Sequence, residues 1–156
     1  MIVAASSAIL ALMDVGNPHH ILLRSAFRAD REDWIIPSAV LPELDYLSAK
    51  RLGPEAAAAL HADLADGRYV VQWGEPGDLE RALELGRAHS ELSLGLVDGI
   101  VMAMAERLEA RAIATLDLRG VAGVALKGGP EIWPRDLELG PLPTARTPQS
   151  LPPAGA

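Results

Sequence analysis

Residues 94–117 read LGLVDGIVMAMAERLEARAIATLD, and this stretch decides the fold. The part over about 97–110 predicts an amphipathic helix, because apolar residues recur there at helical spacing, namely Ile100, Val101, Met104 and Leu108. The part over 112–116 is a short apolar run that is typical of a buried strand. A helix followed directly by a buried strand is half of the repeating unit of an α/β fold. One aspartate stands near each end of this unit, Asp98 and Asp117.

Four further runs on either side of this unit predict strands, over 2–4, 34–36, 68–73 and 131–133. Helical patterns separate the runs, so the strands are expected to pair in parallel with helical crossovers. We therefore predict an α/β fold with three layers, in which helices flank a central, mostly parallel sheet of four to five strands.

The helical patterns cover about 6–13, 20–29, 55–65 and 79–89, and one more begins near residue 38. Ser6 or Ser7 is expected to cap the first of these helices. The predicted domain covers residues 1–139. The Pro-rich segment that follows, 140–156, is predicted to be a disordered tail.

The composition bounds the class of protein. The chain has 156 residues, enough for one domain with a core, and 49% of them are apolar, as in an ordinary globular protein. It has no cysteine, which excludes disulfides and thiolate metal sites and fits a cytoplasmic location. No segment approaches the roughly 20 apolar residues of a membrane span. The apolar start lacks the basic residues of a signal peptide. We therefore expect neither a membrane span nor a signal peptide.

The formal net charge of −7 limits how the chain can bind a polyanion. Its overall field repels nucleic acid, so an RNA would need a local basic rim or a bound cation. A basic partner protein fits the acidity equally well. A solvated helix face is the favoured interpretation of Arg24, Arg28 and Arg31, and RNA contact is the alternative.

Three carboxylates stand out because apolar residues surround them in the sequence: Glu43, Asp98 and Asp117. Each also has an ordinary explanation, since Asp98 could cap a helix, Asp117 could form an Asx turn and Glu43 could be an exposed helix residue. As a set they lie at strand ends or early helix turns, where an α/β fold gathers side chains into one crevice. Clustered carboxylates repel each other unless a cation neutralises them, and oxygen ligands favour Mg²⁺ or Mn²⁺.

Four segments, in chain order, resemble the motifs of one known family. Residues 1–12 resemble its first strand and helix, with Ala5 where the family usually carries aspartate. Residues 43–47 match the second motif, 94–99 the third and 115–117 the fourth. Over the predicted domain, the chain therefore resembles PIN-domain proteins, specifically the VapC-type ribonuclease toxins of bacterial type II toxin–antitoxin systems.

The resemblance implies a Mg²⁺-dependent (or Mn²⁺-dependent) endoribonuclease that hydrolyses RNA phosphodiester bonds. It implies that Asp98 is a direct metal ligand, and that Glu43 and Asp117 are ligands, directly or through water, or orient the attacking water. Ser7 and Thr115 are expected to hydrogen-bond to these groups. The family also implies a homodimer and a cognate antitoxin that inserts a basic segment into the acidic site.

Ala5 is the departure from the family pattern, because a methyl group has no donor atom for a metal. Asp14 is nine residues further on, roughly 13 Å along a helix, and is not expected to replace the missing acid. We predict weakened metal binding and a large loss of hydrolysis. Ala5 is either native or an inactivating substitution, and the well-kept surrounding motif favours the second. The alternative function is a non-catalytic PIN-fold module that binds an antitoxin or RNA.

Overall fold

A computed structural model describes residues 1–29 and 31–138. Within them, five strands form one sheet in the order β3-β2-β1-β4-β5, and every pairing is parallel. The strands are β1 (Ile2–Ala4), β2 (Trp34–Pro37), β3 (Val70–Gln72), β4 (Ala112–Ala114) and β5 (Glu131–Trp133). Helices flank the sheet, so the predicted α/β class and its parallel sheet are confirmed. The predicted tail over 140–156 lies outside the described residues.

The helices in the described residues are α1 (Ser6–Met13), α2 (His20–Ala29), α3 (Leu41–Leu52), α4 (Pro54–Ala65), α5 (Pro76–Ala88), α6 (Leu96–Arg107), α7 (Leu118–Val121) and α8 (Arg135–Glu138). The first six follow predicted helical segments, whereas the short helices α7 and α8 were not predicted. Single 3₁₀ turns cover Ser38–Val40 and Ser90–Leu92. The helical pattern that begins near residue 38 is thus a 3₁₀ turn followed by α3. Pro42 lies in the first turn of α3, where its missing N–H costs no helix hydrogen bond.

Strand β1 occupies the centre of the sheet. Ile2 pairs with Trp34 of β2 on one side and with Ala112 of β4 on the other. All three residues of β1 are completely buried, and so are those of β4. Strands covered by helices on both faces carry apolar residues without alternation, which is why these runs were recognisable in the sequence.

Two helix ends differ from the prediction, each for a local reason. Helix α5 begins at Pro76 rather than near residue 79, because Glu75 and Asp78 form a reciprocal capping box around its first turn. Helix α6 ends at Arg107 rather than near residue 110, because Glu109 adopts a left-handed conformation with φ of 49°. Strand β3 is shorter than predicted and covers three residues.

Helices α5 and α6 pack closely because of a glycine. A Cβ atom added to Gly99 would lie 3.0 Å from the Cβ and 3.1 Å from the carbonyl oxygen of Ala82. Gly99 is the residue directly after Asp98, so this close packing fixes the start of α6 against α5. The position of Asp98 is therefore set by helix packing rather than by a loop.

Two arginine–carboxylate pairs also join α5 to α6. Arg107 donates from Nε and Nη2 to the two oxygens of Asp78, at 2.7 and 2.9 Å. Arg81 binds Glu106 in the same two-pronged way, at 2.7 and 3.0 Å. Burial alone would raise the pKa of Asp78, but hydrogen bonds from Arg107 and from the Glu75 backbone, with the Arg107 charge, hold it below its usual range. The hydrogen bonds from Arg81 likewise lower the pKa of Glu106, despite partial burial.

Across residues 1–29 and 31–138, no helix has the length and apolar character that crossing a bilayer requires.

Candidate metal centre

The site lies at the carboxyl edge of the two central strands. Ala5 directly follows β1, and its backbone N–H donates to the carbonyl of Ala114, the last residue of β4, at 2.9 Å. Thr115 follows Ala114, so the ends of β1 and β4 deliver their next residues to one place. Sites in parallel sheets form at this edge, because loops diverge there and leave a crevice.

A cavity of about 320 Å³ opens at this edge. The three predicted acids all line it, together with the position of the missing acid. The full lining is Ala5, Ser6, Ser7, Leu10, Glu43, Leu47, Arg51, Asp98, Thr115 and Asp117. The structure therefore places the three predicted acids along one cavity, while Asp14 lines a neighbouring cavity instead.

Glu43 reaches the cavity from the first turn of α3, where the helix dipole also stabilises a carboxylate. It is exposed, as its ordinary explanation as an exposed helix residue suggested. However, Ser6 Oγ donates a hydrogen bond to its Oε1, which ties α3 to the start of α1. Ser6 itself is buried and does not cap α1; the cap position is held by Ala5, without a side-chain bond. The prediction of a serine cap was wrong because the hydroxyl faces Glu43.

Asp98 is the most enclosed of the three acids, lying half-buried at the third position of α6. Burial raises the pKa of its carboxyl group, and the nearby negative charges of Asp117 and Glu43 raise it further, against a hydrogen bond from the Gly95 backbone. That hydrogen bond means that Asp98 also helps to cap the helix. The negative charges of Asp117 and Glu43 are therefore close enough to act on the carboxyl group of Asp98.

Asp117 is exposed and caps the start of α7. Its Oδ1 accepts the backbone N–H of Arg119 at 3.3 Å, so the Asx turn proposed as its ordinary explanation is present. Thr115 Oγ1 accepts the N–H of Asp117 at 3.1 Å. This short loop is therefore held by local hydrogen bonds that leave the second carboxylate oxygen, Oδ2, without a hydrogen bond among the described residues.

Ser7 and Thr115 stabilise the loop rather than the acids. Ser7 Oγ accepts the backbone N–H of Leu116 at 2.9 Å and lies 3.4 Å from Thr115 Oγ1. Within the described chain, neither hydroxyl hydrogen-bonds to a carboxylate oxygen of Glu43, Asp98 or Asp117. They fix the backbone that carries Asp117, and in this way they act on the acid indirectly.

The chemistry of the donor set fits a hard divalent cation, but the set is incomplete. Three carboxylates face one cavity, and their charges already disfavour the ionised form of Asp98. In the part of the chain that the structure describes, however, no three His, Cys, Asp or Glu side chains are close enough to hold a metal ion. The sequence suggested a tighter, more buried cluster; instead Glu43 and Asp117 are exposed, and Ala5 supplies no carboxylate to the cavity.

Two residues of the cavity were missed by the sequence analysis. Ser6 was interpreted only as a cap, and Arg51 was not considered at all. Glu43, Leu47 and Arg51 are spaced at i, i+4 and i+8 on α3, so they share one helix face. That spacing was the signal that could have placed Arg51 at the site.

The fold and site together define an α/β protein with an acidic cavity at the carboxyl edge of a parallel sheet. The family model described as the PIN domain matches residues 2–125. The chain belongs to the PIN-domain family, and it is distantly homologous to VapC ribonuclease toxins of VapBC toxin–antitoxin systems.

Three related proteins show how distant this homology is. Ribonuclease VapC26 of Mycobacterium tuberculosis is 28% identical over 124 residues, which are 80% of this chain and 92% of that protein. The crystal structure of VapC20 of Mycobacterium tuberculosis, described as a sarcin-ricin loop cleaving toxin, has a TM-score of 0.69 at 23% identity, covering 80% of this chain and 97% of that one. The DNA-bound VapBC of Salmonella typhimurium has a TM-score of 0.62 at 20% identity, covering 84% and 95%.

Proposed function

We propose that this chain is the toxin of a toxin–antitoxin pair, built as a Mg²⁺-dependent (or Mn²⁺-dependent) endoribonuclease that acts in the cytoplasm, and that Ala5 impairs its hydrolysis. One observation carries the proposal: Glu43, Asp98 and Asp117 line a single cavity with Ala5 beside them. Membership of the PIN-domain family and homology to VapC ribonucleases support the same activity.

Each acid has a defined part in this proposal. Asp98 would bind the cation directly, and Glu43 and Asp117, which line the same cavity, would complete the site. A bound divalent ion would supply an activated water and screen the charge of the scissile phosphate. Ser6 orients Glu43 through its hydrogen bond, and Ser7 and Thr115 hold the backbone that carries Asp117.

Ala5 weakens this arrangement by removing a donor at its centre. Ala5 follows the central strand and lines the cavity, so an aspartate there would extend into the space that the other acids face. With three carboxylates instead of four, the cation loses one ligand and part of the negative charge that attracts it. We therefore expect weak cation binding and slow hydrolysis in the chain as it stands.

The proposed partners follow from the charge of the site and from the relatives. An acidic cavity attracts a basic segment, as a cognate antitoxin would provide. Solved relatives include a toxin–antitoxin complex from Klebsiella pneumoniae, with a TM-score of 0.58 at 18% identity over 80% of this chain and 92% of that one. We propose that the chain binds an antitoxin in the same general way and forms a homodimer.

The test is the reversion Ala5→Asp, compared with the matched control Ala5→Asn, which adds the same volume without the charge. We expect Ala5→Asp to bind Mn²⁺ at least about 100-fold more tightly than the parent and to gain Mg²⁺-dependent RNA cleavage, while Ala5→Asn gains neither. Calorimetric titration and a gel assay on labelled RNA measure the two effects. A folded Ala5→Asp protein that neither binds Mn²⁺ nor cleaves RNA would contradict the enzyme proposal.

A second candidate is a non-catalytic PIN-fold module that binds an antitoxin or RNA. It is favoured by Ala5 together with the wide spacing of the described acids, no three of which could hold a metal ion. In this case Ala5→Asp still fails to cleave RNA, whereas the parent protein binds its basic partner, and Asp98→Asn weakens that complex.

A further inference from the structure

We propose that Arg51 is the residue through which this chain holds the RNA backbone beside its acidic cavity. The inference rests on the proposed ribonuclease function, and it assigns a substrate-binding contact that the acidic motifs do not include. Three features of Arg51 support it: Arg51 lies between two cavities, it is exposed, and it has no acidic partner among the described residues.

Arg51 stands at the junction of two cavities. It lines the acidic cavity, and it also lines a neighbouring one of about 160 Å³ that includes Asp14 and Asn17. The two cavities share Ser7, Leu10 and Arg51, so they are adjacent. A strand of RNA that extends from the acidic cavity toward its neighbour would run beside Arg51.

The spacing along α3 separates the contact from the acids. Arg51 lies eight residues after Glu43, two turns along the same helix face, or roughly 12 Å along the axis. The backbone of Arg51 is thus two turns away from that of Glu43, and we assign to Arg51 the phosphate next to the one among the carboxylates. In this role Arg51 positions the RNA backbone and takes no part in bond cleavage.

The guanidinium of Arg51 is available for a ligand. It is exposed, and within the described residues no ion pair is formed by it. Arg81 and Arg107 differ, because each binds a buried carboxylate with two nitrogens. A role for Arg51 as an internal counter-ion of the acidic cavity would require such a pair with Glu43, Asp98 or Asp117.

The charge of the chain favours such a contact. The formal net charge is −7, and the acidic cavity repels a polyanion. Among the residues that line this cavity, Arg51 is the sole cation, against three carboxylates. Arginine also suits the task, because its planar fork of N–H donors matches two phosphate oxygens.

The experiment measures RNA binding by the chain as it exists, since its impaired site leaves the probe intact. A fluorescein-labelled single-stranded RNA oligonucleotide is titrated with the parent, Arg51→Ala, Arg51→Lys and Arg87→Ala, at several KCl concentrations. Arg87→Ala is the matched control, because it removes the same charge from an exposed site on α5 that lines neither cavity. Circular dichroism melting checks that each variant is folded.

We expect Arg51→Ala to bind about three- to fivefold more weakly than the parent, the effect of one exposed ionic contact. The slope of log K against log salt should fall in magnitude by about 0.7, as for one lost phosphate contact on a single strand. Arg51→Lys should keep the slope and recover part of the affinity. Arg87→Ala should match the parent in both.

The inference is overturned if the parent does not bind the RNA at low salt, or if Arg51→Ala is no weaker than Arg87→Ala. The failure of the ribonuclease proposal gives a different pattern, in which Ala5→Asp neither binds Mn²⁺ nor cleaves RNA. If Ala5→Asp does cleave, adding Arg51→Ala should raise KM about three- to fivefold and leave kcat nearly unchanged. A fall in kcat with unchanged KM would assign Arg51 to the chemical step instead.

Discussion

The molecule has carboxylates in two regions, and their pKa values are shifted in opposite directions. Where α5 meets α6, Asp78 and Glu106 are each bound by the two nitrogens of an arginine, and the pKa of both acids is lowered. At the carboxyl edge of the sheet, burial and the charges of its neighbours raise the pKa of Asp98.

The difference separates acids that an arginine neutralises from acids that none does. In the first region the protein supplies the counter-charge itself, so the acids stabilise the fold. In the second region no described arginine binds the acids in this way, and their mutual repulsion lowers stability. Removing one element of each region at a time tests this contrast.

The largest effect on stability is expected in the first region. Arg107→Ala leaves Asp78, which is 4% exposed, without its two hydrogen bonds from the guanidinium. We expect a loss of about 2 to 3 kcal/mol of unfolding free energy, below the range for fully buried pairs because Arg107 is 29% exposed. Urea denaturation measures it, with the exposed Arg87→Ala as a control near zero. A loss no larger than that of the control would remove the distinction between the regions.

The next effect concerns the link between α1 and α3. Ser6→Ala removes the hydroxyl that donates to Glu43, and we expect a loss of about 1 kcal/mol, typical of a hydrogen bond to a partly exposed charged group. Ser7→Ala is the companion variant, because it loosens the loop before Asp117 instead. In the Ala5→Asp protein, Ser6→Ala should also weaken Mn²⁺ binding. Unchanged Mn²⁺ affinity would show that Ser6 does not orient Glu43.

A smaller effect of opposite sign is expected at Asp98. Asp98→Asn removes one of the mutually repelling charges and keeps the side-chain shape, so without divalent cations the variant should be more stable, by up to about 1 kcal/mol. Asp78→Asn, which breaks a bound pair, should be destabilising. Thermal melting with a chelator present measures both. Destabilisation by Asp98→Asn would mean that Asp98 acts mainly as a cap of α6.

The smallest effect is the pH dependence of these differences. Because the pKa of Asp98 is raised in the folded protein, its carboxylate destabilises the fold above that pKa, and the penalty disappears as the pH falls. The advantage of Asp98→Asn should therefore shrink from pH 8 toward about pH 4. The pKa of Asp78 is lowered, so its contribution persists until the pH falls below about 4. Melting curves of the parent and both variants across this range test the two directions.

The sequence predicted much of this fold because the sheet residues are apolar without interruption. The runs at β1, β2, β4 and β5 and the intervening helical patterns were sufficient for the class and the parallel pairing. The helix ends were less predictable where side chains decide them. The capping box of Glu75 and Asp78 and the left-handed Glu109 depend on local geometry that periodicity does not encode.

The candidate site was only partly predictable. The positions of Glu43, Asp98 and Asp117 follow from chain order and topology, and they do line one cavity. Their exposure and spacing do not follow, because these depend on how α3 and α6 pack against the sheet. The hydrogen bond from Ser6 joins residues 37 positions apart and competes with the local cap that the sequence suggested.

The central position of β1 has a consequence for how the protein is made. Ile2 is synthesised long before Ala112, yet its strand completes its pairing only with the strand that contains Ala112. The centre of the sheet is therefore completed only after β4 has left the ribosome, and such distant pairing is slow. Asp117 arrives later still, so the acidic cavity is assembled after the centre of the sheet. A nascent chain that has not yet reached Asp117 thus lacks the complete acidic cavity.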